Sequence, residues 1–133
     1  MSRCGQQQAQ AVARVVVVLD DARDGLRLLL STAGHEVRTA SDGIEGLAAL
    51  RSWRPDVAIV DIGLPGLDGY ALARAARADP TLDGVVLVAL TGYGQSDDRA
   101  RAIDAGFAVH LVKPVSVSAL GRVFEQIATG YSM

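Results

Sequence analysis

The chain has 133 residues, half of them hydrophobic, and a formal net charge of −2. That length suits one domain whose core needs no disulfide, and the composition excludes a disordered chain. The near-neutral charge predicts neither a nucleic-acid-binding surface nor a basic patch for a membrane surface. No apolar run approaches the roughly 20 residues that span a bilayer.

Both ends of the chain are expected to lie outside the folded part. Residues 1–12 are polar and lack the apolar core of a signal peptide, so we expect a flexible leader there. A single folded domain is predicted over residues 13–129, followed by a short tail at 130–133. The only cysteine, Cys4, excludes an intramolecular disulfide, which fits a cytoplasmic protein.

Apolar runs rich in β-branched residues alternate with segments that have helical spacing. Residues 15–19, which follow Arg14, are continuously apolar, as expected of a strand buried on both faces of a parallel sheet. Turn-rich segments containing Gly or Pro separate the elements. The pattern predicts strands at 14–19, 35–40, 57–60, 84–90 and 108–112, with a helix after each, the last three at about 70–78, 96–105 and 116–129.

The alternation of strands and helices predicts a parallel sheet, because each crossover contains a helix. In open sheets of this kind, ligands bind beyond the carboxyl ends of the strands. The residues at those ends are therefore the candidates for chemistry, namely Asp20, Asp21, Asp61, Thr91 and Lys113.

Three of these candidates are carboxylates, which would repel one another if nothing lay between them. A hard divalent cation resolves the repulsion, and Mg²⁺ favours a few carboxylate oxygens, a carbonyl and waters. Asp21 and Asp61 are the best candidate ligands. Asp20 can act directly or through water, and the backbone carbonyl of Gly63 can add a further oxygen.

The other two candidates supply a hydroxyl, from Thr91, and an ammonium, from Lys113. Lys113 is the only lysine among 13 basic residues, and lysine is a point charge where arginine is a flat fork. Acids, metal, hydroxyl and cation together suit phosphoryl transfer, in which a carboxylate can be the nucleophile. The sequence contains no Gly-rich phosphate-binding loop and no Ser-His-Asp arrangement.

Four stretches, VVVVLDD, VDIGLPGLDGY, ALTGYG and HLVKPV, occur in this order, each at the end of a predicted strand. Through them the chain, from about residue 14 to 126, resembles the receiver domain of bacterial two-component response regulators. The second and third stretches are similar to receivers attached to hybrid sensor kinases. The resemblance implies an α/β flavodoxin-like fold: a doubly wound five-stranded parallel sheet, order 2-1-3-4-5, with five flanking helices.

The resemblance also implies an activity. Asp61 would take a phosphoryl group from a phosphohistidine of a sensor histidine kinase or a histidine phosphotransfer domain. Asp20 and Asp21 would hold Mg²⁺, for which Mn²⁺ can substitute, together with Asp61 and the Gly63 carbonyl. Such a domain catalyses its own phosphorylation and dephosphorylation but is not a turnover enzyme, and no direct contact with nucleic acid or insertion into a membrane is expected.

In the same family, Thr91 would be the switch hydroxyl that turns toward the phosphoryl group, and Lys113 would pair with the phosphorylated site. A cis peptide is expected between Lys113 and Pro114. Two positions depart from the family. His110 stands where the second switch residue is usually Tyr or Phe, whose rings are larger. Ala22 stands where many relatives carry a polar residue, which would alter the dephosphorylation rate.

Two other functions compete with this interpretation. An aspartate-nucleophile phosphatase of the haloacid dehalogenase type would carry a second acid two residues after the first, but Gly63 stands in that place relative to Asp61. A binding module independent of phosphorylation would be expected to have lost an acid or the lysine. The cognate kinase, the downstream target, the oligomeric state, and whether the domain stands alone or belongs to a hybrid kinase are left open by the sequence.

Overall fold

The structure is a computed structural model that describes residues 13–19, 23–62, 67–91, 96–112 and 117–128. The strands are β1 Arg14–Val18, β2 Glu36–Ala40, β3 Val57–Asp61, β4 Val86–Thr91 and β5 Val109–Val112. The helices are α1 Arg23–Thr32, α2 Gly43–Trp53, α3 Gly69–Arg77, α4 Ser96–Ala105 and α5 Val117–Ala128, and a short 3₁₀ helix spans Pro80–Leu82.

All five strands are parallel and form one sheet in the order β2-β1-β3-β4-β5. This confirms the predicted fold class and strand order. The central strands read as continuous apolar runs because both of their faces are covered. No described helix combines the length and apolar character needed to cross a bilayer.

Alternate residues of each strand belong to two separate hydrophobic cores, one on each face of the sheet. In β1, Val16 and Val18 join the core beneath α2, α3 and α4, whereas Val15 and Val17 join the core beneath α1 and α5. Each fully buried Val or Leu contributes roughly 1.5–3 kcal/mol relative to an exposed one. The three central strands are therefore the rigid base from which the carboxyl-end residues project.

Some element boundaries differ from the prediction. The fourth strand begins at Val86 rather than at residue 84, because the preceding residues turn back after the 3₁₀ helix, with the Val85 N–H donating to the Leu82 carbonyl at 3.1 Å. Asp61 and Thr91 were expected to follow their strands, but each is the last paired residue of its strand. The ladder thus fixes the backbone of both residues.

Two aspartates fix where helices begin at this edge of the sheet. Asp42 caps α2 by accepting from the Glu45 N–H at 2.8 Å, and Asp68 caps α3 by accepting from the Ala71 N–H at 2.8 Å. The Glu45 carboxylate in turn accepts from the Ser41 N–H at 2.6 Å, which ties the residue before the cap to the first turn of α2. Asp68 is therefore the N-cap of α3.

Candidate functional site

The carboxyl ends of the strands meet at one edge of the sheet. Val18 at the end of β1 pairs with Val60, next to Asp61 at the end of β3. Asp61 in turn pairs with Leu90, next to Thr91 at the end of β4. The predicted site residues on these strands therefore belong to one rim, as the parallel topology requires.

Asp61 is the carboxylate at the centre of this rim. Its side chain is buried, with 6% of the residue exposed. Its backbone is held by the β3–β4 ladder, which continues one residue further as the Ile62 N–H donates to the Leu90 carbonyl at 3.0 Å. Removing a carboxylate from water is unfavourable unless other groups compensate, so a buried acid at a strand end indicates a site rather than a chance surface charge.

Thr91 is the second polar residue at the rim and is 1% exposed. Its Oγ1 lies 2.9 Å from Nε2 of His110 and 3.5 Å from the carbonyl oxygen of Leu111. The register explains the contact: Thr91 follows Ala89 by two residues, and Ala89 pairs with His110. The two side chains therefore share one face of the sheet. The structure thus brings two of the predicted switch residues together.

Gly69, at the start of α3, contacts the backbone next to Asp61. The Ile62 carbonyl accepts from the Gly69 N–H at 3.1 Å, so the start of α3 packs against the end of β3. A Cβ at position 69 would lie 2.8 Å from both the Asp61 carbonyl oxygen and the Ile62 Cα. Only glycine permits this approach.

The amino end of α2 lies beside the same segment, which the sequence reasoning did not include in the site. Gly43, the first residue of α2, is in close contact with the backbone of Leu67. The signal in the sequence was a glycine directly after the Asp42 cap. That glycine indicates a close approach only when the neighbouring loop is known, because at an N-terminus glycine is otherwise ordinary.

Several predicted site residues lie outside the described residues. These are Asp20, Asp21, Ala22, Gly63, Lys113 and Pro114. Within the described ranges, no three acidic, histidine or cysteine side chains cluster as a metal site. Asp61 is the one predicted metal ligand that falls inside those ranges, and the roles of the others stay predictions.

The comparisons with known proteins agree with this arrangement. The family model of the response regulator receiver domain matches residues 15–125. Transcriptional regulatory protein AfsQ1 of Streptomyces coelicolor is 49% identical over 49 residues, which are 36% of this chain and 22% of AfsQ1. Protein PilH of Pseudomonas aeruginosa is 29% identical over 121 residues, which are 90% of this chain and 100% of PilH.

The solved structures give the same result. The receiver domain of the sensor histidine kinase PA1611 from Pseudomonas aeruginosa, described with a magnesium ion coordinated in its active site cleft, has a TM-score of 0.80 and 30% identity. The similarity covers 90% of this chain and 99% of that one. The family match extends from β1 into α5. The chain belongs to the response regulator receiver domain family.

Proposed function

We propose that Asp61 is the phosphoacceptor through which this receiver domain works in two-component signalling. The observation that carries the proposal is the buried Asp61 carboxylate at the end of β3, beside the end of β4 where Thr91 stands. The donor is a phosphohistidine of a sensor histidine kinase or a histidine phosphotransfer domain. An oxygen of Asp61 forms the new O–P bond as the N–P bond breaks, and the imidazole keeps the electron pair and takes a proton.

The metal is Mg²⁺, held by the carboxylates of Asp20, Asp21 and Asp61 and by the Gly63 carbonyl. This donor set contains only oxygen, which is what Mg²⁺ prefers, and Mn²⁺ accepts the same ligands. The position of Asp61 at the carboxyl end of β3 supports the assignment, because ligands of open parallel sheets bind at that edge. When bound, the metal neutralises charge on the phosphoryl oxygens.

The conformational response is carried by Thr91, His110 and Lys113. The Thr91 hydroxyl already has a partner in His110 at 2.9 Å, so a hydroxyl that donates to this ring must leave it before it can donate to a phosphoryl oxygen. Lys113 contributes a point charge that senses the added negative charge on Asp61. Release of the His110 ring would pass the change on to β5.

The remaining proposals concern the whole protein. Receiver domains are signalling domains, and we expect this one to catalyse only its own phosphorylation and dephosphorylation. It is expected to be cytoplasmic, without direct nucleic-acid contact or membrane insertion, with a leader at 1–12, the receiver domain at 13–129 and a tail at 130–133. Its output passes through a downstream protein whose identity the site does not specify.

Incubation with acetyl phosphate and Mg²⁺ tests the proposal, with intact-mass measurement as the readout. We expect one added phosphoryl group in the wild-type protein and none in Asp61→Asn. Omission of Mg²⁺ should abolish the labelling. An adduct that persists in Asp61→Asn would contradict the assignment, and release of phosphate from many small monoesters would favour a phosphatase instead.

A further inference from the structure

We propose that Gly43 is a positioning residue for the phosphorylation of Asp61: it lets α2 pack directly on the backbone that follows the acceptor strand. The inference rests on Asp61 being the phosphoacceptor, and it assigns to α2 a role in the reaction. Gly43 touches no reacting atom in this account. It acts through Leu67, Asp68 and Gly69, which connect α2 to the end of β3.

The space at Gly43 is too small for any other residue. A Cβ there would lie 2.7 Å from the carbonyl carbon and 2.8 Å from the Cβ of Leu67, and still closer to the Leu67 carbonyl oxygen. Real Cβ atoms essentially never come within 3.0 Å of another heavy atom. Gly43 does not have a positive φ, so the position needs glycine for its lack of a side chain and not for its backbone conformation.

The helix cannot readily move away to make room. The first turn of α2 is fixed by the Asp42 cap and by the bond from the Ser41 N–H to Glu45. One turn further, Gly46 packs on Val18, where a Cβ would lie 2.8 Å from both Val18 methyl groups. A side chain at position 43 would therefore push against the Leu67 backbone. Backbone atoms cannot relieve such a clash by a change of rotamer.

Displacement of Leu67 would reach Asp61 through two residues. Asp68 follows Leu67 and caps α3 by accepting from the Ala71 N–H. Gly69 comes next and lies against the Asp61 carbonyl and the Ile62 backbone, to which it donates a hydrogen bond at 3.1 Å. Each of these contacts involves backbone atoms, so the path is stiff. A shift of Leu67 is expected to reorient the end of β3 and the Asp61 carboxylate with it.

The test compares Gly43→Ala with Gly46→Ala, two buried glycines of the same helix. Both substitutions add one methyl group and create a clash. The new methyl group of Gly46→Ala meets the Val18 and Leu72 side chains, whereas that of Gly43→Ala meets the Leu67 backbone. The readout is the rate constant of phosphorylation at saturating acetyl phosphate and Mg²⁺. Thermal unfolding of each variant identifies a temperature at which both are folded.

We expect Gly43→Ala to lower the maximal rate by about 10-fold to 100-fold, the range that small misplacements of reacting groups produce. Gly46→Ala should lose stability but keep a maximal rate near that of the wild-type protein. Equal maximal rates for the two variants would overturn the inference and leave Asp61 as the acceptor. An unlabelled wild-type protein would overturn the assignment of Asp61 itself, and the inference with it.

A second variant covers the case in which Gly43→Ala does not fold. Leu67→Gly removes the Cβ that clashes and loosens the backbone at that position. The double variant Gly43→Ala/Leu67→Gly should be labelled more slowly than Leu67→Gly alone, because the carbonyl oxygen at position 67 still meets the new methyl group. Where Gly43→Ala folds, the double variant should be labelled faster than Gly43→Ala. A double variant as fast as Leu67→Gly alone would contradict the proposed contact.

Discussion

Thr91 and His110 are joined by a hydrogen bond of 2.9 Å between Oγ1 and Nε2, across two neighbouring strands. A phenylalanine at position 110 could not form this bond, because its ring has no hydrogen-bonding nitrogen. A threonine hydroxyl has a single proton to donate, so the bond to His110 and a bond to a phosphoryl oxygen compete for it unless the imidazole is the donor. If Thr91 acts as the proposed switch hydroxyl, we expect His110 to set how readily it is released.

Removal of the Thr91 hydroxyl should separate phosphorylation from the conformational response. Thr91→Val keeps the shape of the side chain, so we expect the variant to be labelled on Asp61 while the backbone amide resonances of β5 stay in place. Its free energy of unfolding should fall by about 1 kcal/mol, since His110 loses a partner. Thr91→Ser, which keeps the hydroxyl, is the control. A full shift of the β5 resonances in Thr91→Val would be inconsistent with the account.

Lys113→Arg keeps the positive charge but replaces a point charge with a flat fork. We expect this variant to accept the phosphoryl group and yet fail to reach the activated conformation, measured by the same amide resonances or by partner binding. Lys113→Ala should fail in the same way. If the arginine variant switched as well as the wild-type protein, charge alone would suffice and the lysine-specific role would have to be abandoned.

His35 should make the stability of the fold depend on pH. Burial lowers the pKa of His35 below its ordinary value of 6.5. Its Nδ1 accepts from the Ala13 N–H at 3.1 Å, and its ring stacks on Phe124 with centroids 4.4 Å apart. The unfolded chain therefore binds the proton more readily than the folded protein. The neutral His35 side chain therefore contributes its full stabilisation above pH 6.5, and this stabilisation is lost as the pH falls below 6.5 and the ring becomes protonated.

Urea unfolding at about pH 7.5 and about pH 5 measures this dependence. The wild-type protein should lose more stability between the two values than His35→Phe, which keeps an aromatic ring but cannot titrate. Comparing the two proteins removes the contribution of every other titrating group. An identical loss in both would show that His35 does not contribute.

Trp53 at the end of α2 lies against two arginines, Arg14 of β1 and Arg38 of β2. The guanidinium carbons of Arg38 and Arg14 lie 4.3 Å and 4.9 Å from the Trp53 ring centroid. We expect a double-mutant cycle of Arg38→Ala and Trp53→Leu to give a coupling free energy of about 0.5–1 kcal/mol. The cycle cancels differences in strand propensity. A coupling of zero would mean that the stacked geometry does not stabilise the fold.

Much of the fold could be predicted because the central strands are buried on both faces. The segments 15–18 and 57–60 contain no polar residue that would favour another interpretation, and the helices between the strands favour parallel pairing. The position of Asp61 at the carboxyl-end rim of the sheet followed from the topology alone. What the sequence could not show was whether Asp61 and Thr91 end their strands or follow them, because a polar residue is compatible with both.

The contacts between elements were less accessible from the sequence. The bond between Thr91 and His110 depends on the β4–β5 register, which no pattern in the sequence specified. The close approach of Gly43 to Leu67 depends on how α2 sits against a loop more than 20 residues further along the chain. Local patterns predict elements, whereas these distances arise only when the elements pack.

The central claim is that Asp61 forms an aspartyl phosphate, and reductive trapping tests it most directly. Borohydride reduces an acyl phosphate to the alcohol, so the phosphorylated residue becomes homoserine and can be located by peptide mass spectrometry. We predict homoserine at position 61 alone after treatment with acetyl phosphate and Mg²⁺, and none in the Mg²⁺-free control. Homoserine at another aspartate, with position 61 unchanged, would contradict the account.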